Sequence, residues 1–150
     1  MLTEVSFADA KIILNKLWPL GYEFFDNIHA QVLFNGREAV THLKPRYFAW
    51  REQNQIVGTT HCYRTGYGRV RVRGTFFDES CRGKGFAQML VLGALANFSD
   101  CHEAYTFPRT GTERFYQNIG FLPKAPPGPS SESRHGFSYA EKALRTRLHM

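Results

Sequence analysis

Apolar positions divide this chain into elements with two different periods. Phe7, Ala10, Ile13, Leu14 and Leu17 fall at helical spacing. Ser6 and Asp9 stand where a capping box would open that helix, and Pro19 and Gly21 stop it. Leu2 to Val5 before it reads as a short strand. The middle of the chain changes to strand-like runs. Tyr47 to Trp50 and Ile56 to Tyr63 predict two antiparallel strands joined around Asn54, and Arg69 to Asp78 a third after the Thr65 to Gly68 turn. Phe86 to Phe98 is the clearest helix, with Phe86, Met89, Leu90, Leu92, Gly93, Leu95 and Ala96 supplying its buried stripe. Ala104 to Phe107 predicts a strand ended by Pro108, Thr112 to Ile119 a helix ended by Gly120, and Phe121-Leu122 the start of another strand. Phe137 to Leu144 reads as a last strand. Between these lie a strand at Gln31 to Phe34, a short helix at Glu38 to Leu43, and Tyr22 to Ala30 with no clean period. Lys124 to Ser133, rich in Pro, Gly and Ser, reads as a loop that is either a substrate lid or a plain connector. The order predicts a single α/β (α+β) domain over residues 1–150: a mixed, mostly antiparallel, twisted sheet flanked by helices.

Composition narrows the class without naming a function. At 150 residues, with 13 Phe and 7 Tyr, the chain can fill one hydrophobic core. It contains no apolar run of membrane-spanning length, and its first residues lack the pattern of a secretion signal. Three cysteines, Cys62, Cys81 and Cys101, have neither metal-ligand spacing nor an even count. A reduced, cytoplasmic setting and no metal site are the expectation. Cys81 is read as a bystander thiol. A net charge of +6 favours an anionic ligand or partner, and nucleic acid fits as well as a phosphate-rich cofactor.

The candidate chemistry is concentrated at Arg82-Gly83-Lys84-Gly85-Phe86-Ala87, between the Arg69 strand and the Phe86 helix. A glycine-rich turn entering a helix presents free N–H groups and partial positive charge to an anion. Glycine lets the backbone come close to a phosphate. Arg82 and Lys84 add charge. A Walker P-loop is excluded because Gly85, not Ser or Thr, follows Lys84. A dinucleotide fingerprint fits poorly, because an antiparallel meander precedes the turn rather than a βαβ unit. Further along stands Phe115-Tyr116-Gln117-Asn118-Ile119-Gly120-Phe121.

The two motifs together resemble the GCN5-related N-acetyltransferases. In that family an Arg/Gln-x-x-Gly-x-Gly/Ala motif binds the coenzyme A pyrophosphate, and Arg82, Gly85 and Ala87 fill its three places. A later aromatic-Tyr-x-x-x-Gly-Phe motif is matched by Phe115, Tyr116, Gly120 and Phe121. The arrangement also looks like small uncharacterised acetyltransferases of bacteriophages. The resemblance implies acetyl-CoA as co-substrate, direct attack by an amine on the thioester, and no enzyme nucleophile. It implies that Arg82, Gly83, Lys84, Gly85, Phe86 and Ala87 hold the pyrophosphate. It places the pantetheine arm between the backbone of Phe76 and Phe77 and the strand Ala104 to Phe107. It gives Tyr116 the role of proton donor to the leaving thiolate, although an aromatic core residue would explain Tyr116 equally. Three departures from the family pattern are Glu79 for a proline, Arg109 for an asparagine that contacts the coenzyme, and Thr112 for a small residue. Arg109 can meet a coenzyme phosphate instead.

The general base stays open among His61, Asp78, Glu79 and a water relay. Arg69, Arg71 and Arg73 alternate, so a regular strand puts them on one face, either solvated or lining a site for anions. A bulge near Gly74 and Thr75 would switch the parity beyond it. The reading is acyl transfer from coenzyme A to an amine of unknown class, with a homodimer open because dimers are common in the family. Its rivals are a nucleic-acid-modifying enzyme on the same fold and a non-catalytic binding or inhibitor module.

Overall fold

The computed structural model describes residues 1–17, 45–66, 68–109, 111–125 and 138–144. The expected strand at 31–34, the helix at 38–43, the stop at Pro19 and most of the Pro-rich loop lie outside the described residues. The chain runs through β1 (Leu2–Val5), α1 (Phe7–Leu17), β2 (Arg46–Glu52), β3 (Gln55–Gly66), β4 (Arg69–Phe77) and a 3-10 turn at Glu79–Cys81. It continues through α2 (Phe86–Leu95), β5 (Glu103–Thr106), α3 (Glu113–Asn118), β6 (Leu122–Pro123) and β7 (Ala140–Ala143).

The seven strands among the described residues make one sheet in the order β1-β2-β3-β4-β5-β7-β6. Among the described strands only β4 and β5 pair in parallel, so the sheet is mixed and mostly antiparallel as expected. The hairpin between β2 and β3 turns at Gln53 and Asn54, both with positive φ, as a two-residue turn requires. Ser6 opens α1 by accepting the Asp9 N–H at 3.1 Å.

The helices lie on opposite faces. Ala10 and Leu14 of α1 pack with Tyr47, Val5, Phe7 and Phe76. On the other face α2 buries Leu90, Val91, Ala94 and Leu95 against Phe48, Val70, Val72, Ala104, Tyr116 and Phe121. The stripe therefore differs from the one expected: Met89 and Leu92 are exposed, at 52% and 41%, while Val91 and Ala94 are inside. From Met89 to Ala96 every residue is apolar or small, so periodicity alone cannot choose the buried face. The helix also ends at Leu95 rather than Phe98. Gly93 lies close to the first strand: a Cβ there would stand 2.8 Å from Leu2 Cδ2. The last strand is shorter than expected, Ala140–Ala143.

The β4 strand carries the bulge that its sequence suggested. Cys62 faces Val72 and His61 faces Arg73, but Gly58 faces Phe77 and Thr59 faces Phe76. One extra residue therefore sits in β4 between Arg73 and Phe76. Gly74 takes it up at φ +62°, a conformation open to glycine. Before the bulge Val70 and Val72 face α2. After it Thr75 and Phe77 face α2, and Phe76 turns to the α1 side.

Candidate active site

The turn before α2 has the geometry of an anion cradle. Gly83 and Gly85 adopt φ +84° and +78°, and a Cβ on either would enter open space. Gly85 is the helix N-cap and carries no side-chain cap. Among the described residues, the N–H groups of Gly83, Gly85, Phe86, Ala87 and Gln88 donate to no protein acceptor, whereas those of Cys81, Arg82 and Met89 do. Five unspent donors at the positive end of a ten-residue helix make a site for a phosphate-type anion. Arg82 and Lys84 are exposed beside it. The sequence shows why the turn holds its shape. Asp78 caps the 3-10 turn by accepting the Ser80 N–H at 3.2 Å. Phe86 then anchors the start of α2, stacking on Trp50 at 5.8 Å and leaning on Phe77 at 6.4 Å.

The second feature is a parting of strands. The parallel ladder holds Arg69, Val70 and Arg71 of β4 against Glu103, Ala104 and Tyr105 of β5, and then stops. β4 runs on to Phe77 while β5 ends at Thr106, followed by Phe107 and Pro108. Proline has no N–H to continue a ladder. At the fork the Thr106 hydroxyl, rather than a main-chain amide, donates to Val72 O at 3.0 Å. Phe76 and Phe77 therefore lie on a stretch of β4 whose β5 side has no paired strand.

Tyr116 reaches this fork from α3. It is buried, edge-on to Phe115 at 5.0 Å and to Phe121 at 5.5 Å. Gly120 at φ +100° ends α3 and lets Phe121 fold back, its N–H donating to Tyr116 O at 2.9 Å. The Tyr116 hydroxyl lies near the hydroxyls of Thr75 on β4 and Thr106 on β5. Burial raises its pKa, while those two hydroxyls and the charge of Arg109 pull the other way. Arg109 is thus near enough to act on the phenol. It is exposed, and its carbonyl accepts the Thr112 N–H and hydroxyl in the turn into α3.

The structure brings the cradle, the end of β4, Tyr116 and Arg109 to one end of the sheet. His61 is placed differently. It is 1% exposed on the α1 face of β3, between the rings of Tyr47 and Tyr63 at 5.6 and 6.3 Å and opposite Arg73 in register. Its neighbour Thr60 faces the Tyr116 side, so β3 lies between His61 and the phenol. Asp78 is used as a cap, and Glu79 is exposed. The three strand arginines do share a face, but not a simply solvated one. Arg69 pairs with Glu103 at 2.6 Å and lies over Tyr105, and Arg71 lies over Phe107. Thr60, Thr75 and Thr106 were missed by sequence reasoning. No motif marks them, and only the bulge at Gly74 brings Thr75 to the phenol. Cys62 and Cys101 are buried, and burial pushes both thiols up. Among the described residues no group of three His, Cys, Asp or Glu could hold a metal, and no helix is long and apolar enough to cross a membrane.

Residues 44–123 match the family model of the acetyltransferase (GNAT) domain. This chain belongs to that family. Solved structures agree on the fold. A GNAT-family acetyltransferase from Staphylococcus aureus is similar at 15% identity and a TM-score of 0.65, over 97% of this chain and 99% of that one. The PaiA N-acetyltransferase of Thermoplasma acidophilum, in complex with coenzyme A, is 12% identical at a TM-score of 0.65, over 96% and 98%. N-acetylglutamate synthase from Neisseria gonorrhoeae, complexed with coenzyme A and N-acetylglutamate, is 8% identical at 0.68, over 97% of this chain and 35% of that one. No curated protein matches the chain.

Proposed function

We propose that this protein transfers an acetyl or related acyl group from coenzyme A to an amine. One observation carries the reading: the turn with five unspent N–H donors directly follows the strand that parts from its parallel neighbour. A pyrophosphate and a thin extended arm would find complementary surfaces there in sequence. Gly83, Gly85, Phe86, Ala87 and Gln88 would hold the pyrophosphate by their N–H groups, with Arg82 and Lys84 adding charge. Arg109 stands on the far side of the fork as a second cation for a coenzyme phosphate. The backbone of Phe76 and Phe77 would run beside the pantetheine arm. Acetyl-CoA supplies a thioester that an amine attacks directly. Tyr116 then delivers its phenol proton to the departing sulfur. The amine's own proton leaves to the carboxylate of Asp78 or Glu79 or through a water relay, since His61 lies on the other face of β3 from the phenol.

The acceptor is an amine whose class is open. Nucleic acid is the weaker partner on this reading, because Arg69 is already tied to Glu103 and Glu141 and is not a free phosphate contact. The likeness to bacteriophage members rests on motif arrangement alone. The test is calorimetry with acetyl-CoA and free coenzyme A, at low and high salt. Micromolar binding to the wild type and its loss in a folded Gly85→Glu protein are expected, since the carboxylate would face the pyrophosphate. Equal affinity in the two proteins would show that the turn is not the cradle. A binding module without turnover would instead capture a protein partner stably, and that capture would survive both Gly85→Glu and Tyr116→Phe.

A further inference from the structure

A cavity of about 290 Å³ opens beside the far end of α2. Leu92 and Leu95 line it from the helix, Ala96 and Phe98 from the residues that follow, and Leu144 from the end of β7. Its polar lining is Ser99 and Lys142. At 1.5 Å per residue, Leu92 to Ala96 stand about 10 to 17 Å along the helix from Gly85. No lining residue belongs to the cradle or the fork. The surroundings are apolar: the chain carries no charged side chain from Gly85 to Ser99, and Met89 and Leu92 are exposed. A helix that is apolar on every side is normally covered. Against this background Lys142 is the one cation. Ala104 faces it across the β5–β7 ladder and is buried on the α2 face, so the Lys142 side chain rises on that face too. Its Nζ stands over Gly120, 2.6 Å from where a Cβ would be. The acids nearest in sequence are engaged elsewhere, Asp100 with Arg64 and Glu141 with Lys124 and Arg69. Among the described residues no carboxylate pairs with Lys142.

We propose that this cavity binds a medium-chain carboxylate, an apolar chain that ends in one negative charge. The chain lies against Leu92, Leu95, Phe98 and Leu144. The carboxylate meets the Lys142 ammonium, with the Ser99 hydroxyl as a further donor. Size sets the length. An apolar cavity of about 150 Å³ holds a six-carbon ring, so this one has room for roughly ten carbons. Charge sets the head group. One ammonium and one hydroxyl match a single negative charge better than a phosphate dianion. The unpaired carbonyls at the C-terminal end of α2 disfavour a second charge there. The site goes beyond acyl transfer and does not rest on it, because the cradle occupies the other end of the helix.

The test is methyl NMR of the full chain titrated with octanoate. Saturable shifts are expected at the methyls of Leu92, Leu95, Ala96 and Leu144. Octylammonium has the same chain and the opposite charge, and should bind at least about tenfold more weakly. Lys142→Met keeps the apolar stem and removes the charge. It should weaken octanoate about tenfold and abolish the preference over octylammonium. Ala96→Phe fills the cavity from an exposed position and should remove binding, so the proposal stays testable if Lys142→Met does not fold. Saturating free coenzyme A should leave the octanoate affinity unchanged. Three results would overturn the proposal. The first is no saturable shift at these methyls, or equal binding of the two amphiphiles to the wild type. The second is displacement of octanoate by coenzyme A, which would put the ligand in the acyl site. The third is a dimer in sedimentation, with the same methyls shifting as protein concentration alone rises. That result would give the surface to a second copy of the chain.

Discussion

At the residue scale Tyr116 has two explanations that the structure combines. It is a packed aromatic between Phe115 and Phe121, and its hydroxyl is still delivered to the fork. Tyr116→Phe keeps the ring and removes only the oxygen. We expect the folded variant to bind coenzyme A as the wild type does and to lose about 10²-fold in kcat with an amine acceptor, measured as thiol release. A variant with full kcat would leave Tyr116 as a core residue. The tyrosine and glycine of this motif were legible in the sequence because their spacing is local: Gly120 must follow the helix for Phe121 to fold back on Tyr116. His61 was legible only as a titratable side chain on a strand. Its face depends on pairing with β2 and β4, which one segment of sequence does not contain. The threonines were not legible, because their meaning depends on three strands and a helix meeting.

At the scale of elements, β4 decides the geometry of the site. Without the bulge at Gly74, strand alternation would leave Thr75 on the face of Arg71 and Arg73 and send Phe76 into the core in place of Phe77. Gly74→Val puts a β-branched residue at φ +62°. We expect it to cost about 1–2 kcal/mol, read as a lower urea midpoint, and to weaken coenzyme A binding if the bulge straightens. Unchanged stability and binding would mean that the bulge does not need glycine. A neighbouring test concerns β3. A methyl group at Gly58 would collide with the ring of its cross-strand partner Phe77, which itself braces Phe86. Gly58→Ala should therefore destabilise the fold by about 1–3 kcal/mol through overpacking and loosen the start of α2. Faster amide exchange at Phe86 and Ala87 would report that loosening. The strands of the meander were legible from their runs of β-formers and the Asn54 turn. The buried face of α2 was not, because a helix apolar on every side carries no phase.

At the scale of the whole molecule, part of the positive charge is structural. Arg46 of β2 chelates Glu4 of β1 at 2.6 and 2.8 Å and lies over Phe48 and Phe98. Arg64 of β3 does the same with Asp100 at 2.8 Å and also lies over Phe98. The two arginines thus hold the sheet to the end of α2 through one buried ring. The Arg46 and Arg64 guanidiniums keep the Glu4 and Asp100 carboxyls below their ordinary ranges, chiefly through these hydrogen bonds. A carboxyl depressed in the folded state binds its proton more readily unfolded. Its contribution is therefore full above its unfolded pKa, near 4, and is lost as pH falls through the lower folded value. We expect melting temperatures to be flat from pH 7 to about 5 and to fall steeply below about 4. Glu4→Gln should flatten that fall, because it removes one of the groups that acid must neutralise. It should also lower the melting temperature slightly at pH 7. These pairs are largely open to solvent, so the effect should shrink in 1 M salt, where the Debye length is about 3 Å. Parallel curves for the wild type and Glu4→Gln across pH 3 to 7 would show that the Arg46 chelate contributes packing over Phe48 and Phe98 rather than charge.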